Sequence, residues 1–235
     1  MLNESFLIDG VDVKTLGIHL QNHLEFEEAE PIIDVESVDG RNGDLIKYTG
    51  SYNNRSMTAE CFVLQKDVAK ALSKINLFLL SKQGYRRIES TDDPEHFWMG
   101  CIQNGAAIAQ RIRLLAPFEI EFDCMPQRFL KAGEMPIEML DHGIIENPAF
   151  PSRPIIKVYG DGAATLKVGN YIVEFLDIDG MIVLDSEEQD AYNDKGSMNA
   201  YIKADVFPVL EIGQNEIYWS GGIQRIEIVP RWWDL

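Results

Sequence analysis

The chain has few cysteines, no long apolar run and a shortage of basic residues. Its three cysteines, Cys61, Cys101 and Cys124, lie far apart and form no CxxC pair, which argues against a disulfide framework and a cysteine-based zinc site. No apolar stretch approaches the roughly 18–20 residues of a membrane-crossing helix, and residues 1–10 lack the basic and apolar segments of a signal peptide. We therefore expect neither a secreted precursor nor a membrane protein.

Basic residues are scarce relative to acidic ones. The sequence has 21 Lys and Arg against 38 Asp and Glu, a formal net charge of −17, and the halves before and after Leu130 carry −7 and −10. Because phosphate binding needs Lys and Arg to displace counterions, this balance excludes tight wrapping on nucleic acid. It is compatible with an acidic surface along which DNA passes without binding.

Motifs for catalysis and for metal binding are missing as well. There is no GxSxG, Walker or GxGxxG sequence. His19 and His23 are four residues apart but lack a third ligand, and Asp177-Ile178-Asp179-Gly180 begins like a calcium loop whose later positions fail. The acidic run Glu187, Glu188 and Asp190 is typical of a solvated loop, although paired carboxylates serve glycoside hydrolysis. We predict no enzyme, no cofactor and no metal site.

Turn dipeptides and alternating runs are abundant. Asp-Gly and Asn-Gly pairs such as Asp9-Gly10 and Asp179-Gly180 are flanked by β-rich segments, which is a strong hairpin signal. From Phe118 to Cys124 apolar and acidic residues alternate, giving one buried and one wet face. The sequence therefore predicts a mainly β, mostly antiparallel protein.

One segment has a helical pattern instead. Between Lys66 and Gln83 apolar residues recur at three- and four-residue spacing, lysines lie on the other side, and Gly84 follows at a helix C-cap position. We predict one substantial helix packed on the sheet of the first domain. Docking of its apolar stripe to a partner is the alternative.

The domain organisation is predicted from proline content. Five of the ten prolines fall between Met125 and Pro154, where neither period is sustained. We predict an N-terminal domain over 1–130, a proline-rich connector over 131–153 with a short strand or turn near Ile137–Leu140, and a C-terminal β-sandwich over 154–235.

Aromatic residues near the end of the chain suggest a binding alternative. Tyr218, Trp219, Trp232 and Trp233 are candidates for a carbohydrate platform, since aromatic faces stack on sugars. The simpler interpretation is that they are core or interface residues.

Three stretches of the sequence carry recognisable patterns. The beginning has FLIDGVDVKTLGIHL followed by VDGRNGDL, the middle has GYRRIESTDDPEHFWMGCI, and the last and most specific is DVFPVLEIGQNEIYWSGGIQRIEIVPRWWDL. Together they resemble the distal tail proteins of long-tailed phages (siphophages). Two positions depart from the family pattern: Asp39 stands where proline is common, and Trp233 replaces an arginine. The similarity covers almost the full length and is weakest across Met125–Pro151.

This resemblance implies a fold and a role. The family has an N-terminal belt domain with one helix and a hairpin, and a galectin-like C-terminal β-sandwich. Six belts form a ring at the tail tip of the virion. The ring joins the tail tube to the tail-associated protein and the receptor-binding components, and DNA passes through it. The resemblance thus implies a homo-hexameric structural hub, with carbohydrate binding to the host surface as the alternative function.

Overall fold

The computed structural model describes residues 4–64, 68–105 and 115–235. The chain divides into two compact units, residues up to Arg128 with Leu235, and residues 129–234. The predicted fold class is confirmed: both units are built from antiparallel strands, and the described residues contain one α-helix. No helix in the described part of the chain is both long enough and apolar enough to cross a membrane.

The first unit contains ten strands, a 3-10 turn (Val13–Leu16) and helix α1 (Val68–Leu80). The strands are β1 (Phe6–Ile8), β2 (Val11–Asp12), β3 (Ile18–Leu20), β4 (Glu25–Phe26), β5 (Pro31–Glu36), β6 (Leu45–Tyr52), β7 (Arg55–Leu64), β8 (Arg86–Ser90), β9 (His96–Ile102) and β10 (Leu115–Cys124).

The main sheet of this unit runs β2-β1-β8-β9-β10-β7-β3, with β4 also paired to β7. The long pair β7 and β10 sets its register, with Phe118 opposite Cys61 and Phe122 opposite Met57. Phe118, Ile120, Phe122 and Cys124 are all buried, so the alternation seen in the sequence marks a core face.

Helix α1 is shorter than the sequence indicates. It spans Val68–Leu80 and buries Ala71, Ile75 and Leu79 in the core of the first unit, which confirms packing on the sheet. Lys66, where the predicted helix begins, lies outside the described residues. Gly84 has the expected positive φ of 85°, but it lies four residues beyond the helix end and therefore does not cap it.

The second unit has eight strands in one sheet, a 3-10 turn at Lys131–Glu134 and another at Asn199–Tyr201. The strands are β12 (Ile137–Met139), β13 (Gly143–Asn147), β14 (Ile155–Val168), β15 (Tyr171–Asp185), β16 (Asp190–Asn193), β17 (Gly196–Ser197), β18 (Ile202–Lys203) and β19 (Gly213–Val229). A further short pair joins β11 (Arg128–Leu130) to β20 (Trp233–Asp234).

The proline-rich segment contributes to this second sheet. The short strand expected near Ile137–Leu140 is present as β12, and β13 follows it; both pair with β19. Residues 131–153 are therefore part of the second unit rather than a separate connector, because β12 and β13 are hydrogen-bonded to β19. A fragment intended to contain the second unit should begin near Phe129 rather than at Pro154.

Candidate interaction surface

Strands β5 and β6 form a two-stranded hairpin that pairs with no other described strand. Val35 lies opposite Ile46 and Ile33 opposite Tyr48. The turn between the strands contains Gly40 and Gly43, whose φ angles of 81° and 83° belong to the left-handed region. Glycine adopts that region without a steric cost, so the Asp-Gly and Asn-Gly pairs place this turn.

One face of the hairpin is entirely apolar. Residues that lie opposite each other in an antiparallel pair, and residues two apart on a strand, share a face. Ile33, Val35, Ile46 and Tyr48 therefore form one continuous face, and each of them is 43–70% exposed. We call these four residues the hairpin face.

The opposite side of the hairpin is mixed. It carries Asp34 across from Lys47 and Glu36 across from Leu45. An isolated two-stranded hairpin is at best marginally stable in water, and contiguous exposed apolar side chains mark interaction sites. Among the described residues of the first unit, the hairpin face is thus an exposed apolar surface that no other strand covers.

Open sheet edges lie in the same unit. Strands β3 and β4 pair with β7 and with no other described strand. Their outer edges present backbone groups that a further strand can extend. Helix α1 also leaves Leu77 and Leu80 exposed, whereas its other apolar side chains at Ile75 and Leu79 are buried.

The aromatic residues singled out from the sequence are dispersed within the second unit. Tyr218 is 53% exposed and stacks on His142 with ring centroids 4.3 Å apart. Trp219 is buried, because successive residues of β19 point to opposite faces and Tyr218 occupies the exposed one. The Trp219 backbone N–H donates to His142 Nδ1 at 3.3 Å. The exposed aromatic pair is therefore Tyr218 with His142.

Trp232 and Trp233, the other two candidates, lie near the C-terminal end of the second unit. The Trp233 ring stacks on Phe150 at 4.9 Å, and its Nε1–H donates to the Pro151 carbonyl at 3.0 Å. Trp232 packs against the hydrophobic core of the second unit. Neither is placed beside Tyr218 by these contacts.

The acidic segments differ in their local structure. The hairpin turn predicted at Asp179-Gly180 is wrong, because both residues lie within strand β15 and pair with Asp161 and Gly160 of β14. Asp179, in the calcium-like sequence, forms an ion pair with Lys195 at 2.6 Å, and that hydrogen bond lowers the pKa of Asp179. The backbone N–H groups of Glu187 and Glu188 donate to Asp185 Oδ1. Asp190 accepts a hydrogen bond from Asn199. These contacts stabilise the end of β15 and the segments on either side of β16.

Sequence reasoning did not single out the hairpin face or His142. The alternation of Ile33-Asp34-Val35-Glu36 was readable, as was its counterpart at Leu45–Tyr48. Such alternation is ordinarily that of a half-buried strand, and only the structure reveals that nothing in the described first unit covers the apolar side.

The fold is one already seen in a phage adsorption apparatus. It is similar to the crystal structure of SPP1 Dit, which is described as a paradigm of the hub adsorption apparatus in phages that infect Gram-positive bacteria. The TM-score is 0.67, the identity is 12%, and the match covers 97% of this chain and 98% of that one. No protein-family model matches the chain, and no curated protein sequence does either.

The likeness is one of fold. At 12% identity over nearly the whole of both chains, it confirms the resemblance to distal tail proteins at the level of the architecture. Function depends on surfaces and sites rather than on the fold, so it has to be argued from the exposed residues.

Proposed function

We propose that this protein is a structural hub of a phage tail tip and that its first unit forms a hexameric ring. In the virion the ring joins the tail tube to the tail-associated protein and to the receptor-binding components. The role is architectural rather than enzymatic. The observation that carries the proposal is the hairpin face, an exposed apolar surface with no partner in the described chain.

A closed ring requires a heterologous contact, in which one surface of each subunit meets a different surface of the next. The hairpin face is suited to be one of these surfaces. The free edge of β3 and β4 and the exposed residues of α1 are candidates for the other, since they offer backbone hydrogen bonds and further apolar area. The N-terminal domain predicted over 1–130 contains all of them.

The acidic charge supports passage of DNA. A six-membered ring carries six formal charges of −17, and like charge prevents the phosphate backbone from adhering to its wall. The fold likeness to a hub protein of a phage adsorption apparatus supports the same role. We place the protein at the virion tail tip on these grounds.

Electron microscopy of the purified full-length chain tests the proposal. Six-fold rings with a central opening are the expected particles. Closed two-fold dimers would contradict the proposal, since they need a self-complementary contact rather than a heterologous one.

A second candidate function is carbohydrate binding by the C-terminal domain predicted over 154–235. This candidate is favoured by the exposed Tyr218 ring, which stacks on His142 and is available to a sugar. Trp219 is buried and is therefore not available. Isothermal titration with cell-wall polysaccharide tests this candidate. Loss of binding in Tyr218→Ala, with retention in a Tyr201→Ala control on another exposed tyrosine of this unit, would support it.

A further inference from the structure

Three segments of the first unit bring a histidine and two carboxylates together. Glu4 precedes β1, His23 lies in the turn between β3 and β4, and Asp92 lies in the turn between β8 and β9. His23 Nδ1 is 2.9 Å from Asp92 Oδ2 and 3.1 Å from Glu4 Oε2. One donor atom from each of the three residues lies within 4.8 Å of the other two.

Neighbouring backbone contacts hold the three residues in place. Ser5 N–H donates to Thr91 Oγ1 at 2.8 Å, and Thr91 N–H donates to the Ser5 carbonyl at 3.0 Å. These bonds fix the residues immediately after Glu4 and before Asp92. Gln21 N–H donates to the Glu60 carbonyl at 2.8 Å, which anchors the turn that carries His23. The convergence is built by the fold.

The carboxylate of Glu4 has a buried oxygen that lacks a hydrogen bond, and a bound cation would satisfy it. Glu4 Oε2 is buried and accepts no hydrogen bond from the described residues, although it lies 3.1 Å from His23 Nδ1. A buried oxygen without a hydrogen bond costs free energy. The single hydrogen on Nδ1 is directed at Asp92, at 2.9 Å, whereas a cation bonds to both carboxylates and to the imidazole nitrogen.

The dimensions suit a small divalent metal. In a tetrahedral zinc site with bonds of about 2.0–2.1 Å, ligand atoms lie about 3.3 Å apart, so the observed 2.9 and 3.1 Å need to widen by only a few tenths of an ångström. His23 is 66% exposed, which leaves room for water at the remaining position. His23 and Asp92 also border a cavity of about 310 Å³.

We propose that Glu4, His23 and Asp92 form a binding site for a zinc-class divalent cation. Imidazole nitrogen favours zinc, copper, nickel or iron, while calcium prefers six to eight oxygens and magnesium keeps most of its waters. The bound ion ties the segment before β1 to two turns of the same unit. The site is independent of the hub role proposed above and stands or falls on its own measurement.

Isothermal titration of the chelator-treated full-length chain with Zn²⁺ tests the site. The expected result is one saturable high-affinity site per chain. His23→Gln and Asp92→Asn should each weaken binding at least about tenfold, because a three-ligand site does not tolerate loss of a ligand. His142→Gln is the matched control, since His142 is another partly exposed histidine next to an aspartate, Asp141.

Absence of a 1:1 site would overturn the proposal, and so would binding that His23→Gln and Asp92→Asn leave unchanged. Displacement of Zn²⁺ by equimolar Ca²⁺ or Mg²⁺ would overturn the assigned metal class. Circular dichroism of each variant controls for folding, and Glu4→Gln provides a third substitution. A visible spectrum of the Co²⁺-loaded chain that loses intensity in His23→Gln would support ligation by that nitrogen.

Discussion

Arg231 and Asp185 form a two-point ion pair in the second unit. Arg231 Nη1 lies 2.7 Å from Asp185 Oδ1, and Nη2 lies 3.0 Å from Oδ2. The Asp185 side chain is only 8% exposed. Burial by itself raises the pKa of this carboxyl, but the hydrogen bonds from Arg231 and from the backbone of Glu187 and Glu188, with the Arg231 charge, hold the pKa below its ordinary value.

Asp185→Asn should destabilise the second unit by about 2 kcal/mol at pH 7, the scale of hydrogen bonds to a charged group. A carboxyl whose folded pKa is lowered stabilises the protein above its unfolded pKa, and that contribution is lost as pH falls through the folded pKa. The difference between wild type and variant in urea unfolding should therefore shrink below about pH 4. The exposed Asp205→Asn serves as control. A difference that does not change with pH would contradict this account.

Arg86 links the first hairpin to helix α1. Its Nε donates to Asp9 Oδ2 at 2.9 Å, and its Nη1 donates to the Phe78 carbonyl at 2.9 Å. Arg86→Met should lower the unfolding free energy of the first unit by about 3 kcal/mol, because it leaves a carboxylate and helix-end carbonyls without this donor. Lys82→Ala, which removes the exposed partner of Asp9, should cost below about 1 kcal/mol. If Arg86→Met and Lys82→Ala lowered the thermal stability equally, the larger effect expected of the buried Arg86 would be refuted.

Local patterns in the sequence were sufficient for much of the fold. The Asp9-Gly10 pair predicted a tight turn, and both residues have positive φ angles, 51° and 77°. The alternation in Phe118–Cys124 predicted its buried face, and the helix was found with its end misplaced by three residues. These features depend on neighbours within a few positions along the chain.

The candidate sites depend on long-range contacts instead. His23 meets Asp92 across 69 residues, and its near neighbour His19 stacks on Phe62, so the four-residue spacing of the histidines was uninformative. Strand β12 was predicted only as a short strand or turn and β13 was not predicted, because their pairing partner β19 lies 66–91 residues later in the chain. A single sequence does not encode such pairings in a local pattern.

Two glycines allow β14 and β19 to approach closely. A Cβ on Gly160 would overlap the Gly222 carbonyl, and a Cβ on Gly222 would overlap the Asp161 carbonyl. Gly160→Ala should therefore cost about 3 kcal/mol or more in chemical denaturation, because backbone rather than a flexible side chain must move. Gly162→Ala is the control: it has a φ of 78° but open space, so its cost should be about 1–2 kcal/mol. Similar losses at both positions would argue against the close approach.

The three cysteines should differ in reactivity. Burial raises the pKa of the Cys61 and Cys124 thiols to about 12, and Cys101 is only partly buried. Since the thiolate is the nucleophile, a disulfide-exchange reagent such as dithionitrobenzoate should modify Cys101 alone in the native protein. All three should react in denaturant. Cys61→Ser, which lacks one of the two buried thiols, should react in the native state with the same stoichiometry as wild type, one thiol per chain. Fast modification of more than one thiol in both native proteins would contradict the assignment.

In the proposed ring the hairpin face joins one copy of the chain to the next. Ile46 and Leu45 are adjacent and similarly exposed but lie on opposite faces of the hairpin. A lysine at Ile46 enters the proposed contact, whereas a lysine at Leu45 lies on the mixed side. The pair thus isolates the face from the effect of added charge.

Light scattering coupled to size exclusion, on wild type, Ile46→Lys and Leu45→Lys, is the most direct test. Wild type and Leu45→Lys should each have six times the chain mass of 26.7 kDa, and Ile46→Lys should have the single-chain mass. A wild type that stays at 26.7 kDa across the accessible concentrations, or an Ile46→Lys variant that assembles as wild type does, would contradict the proposed contact.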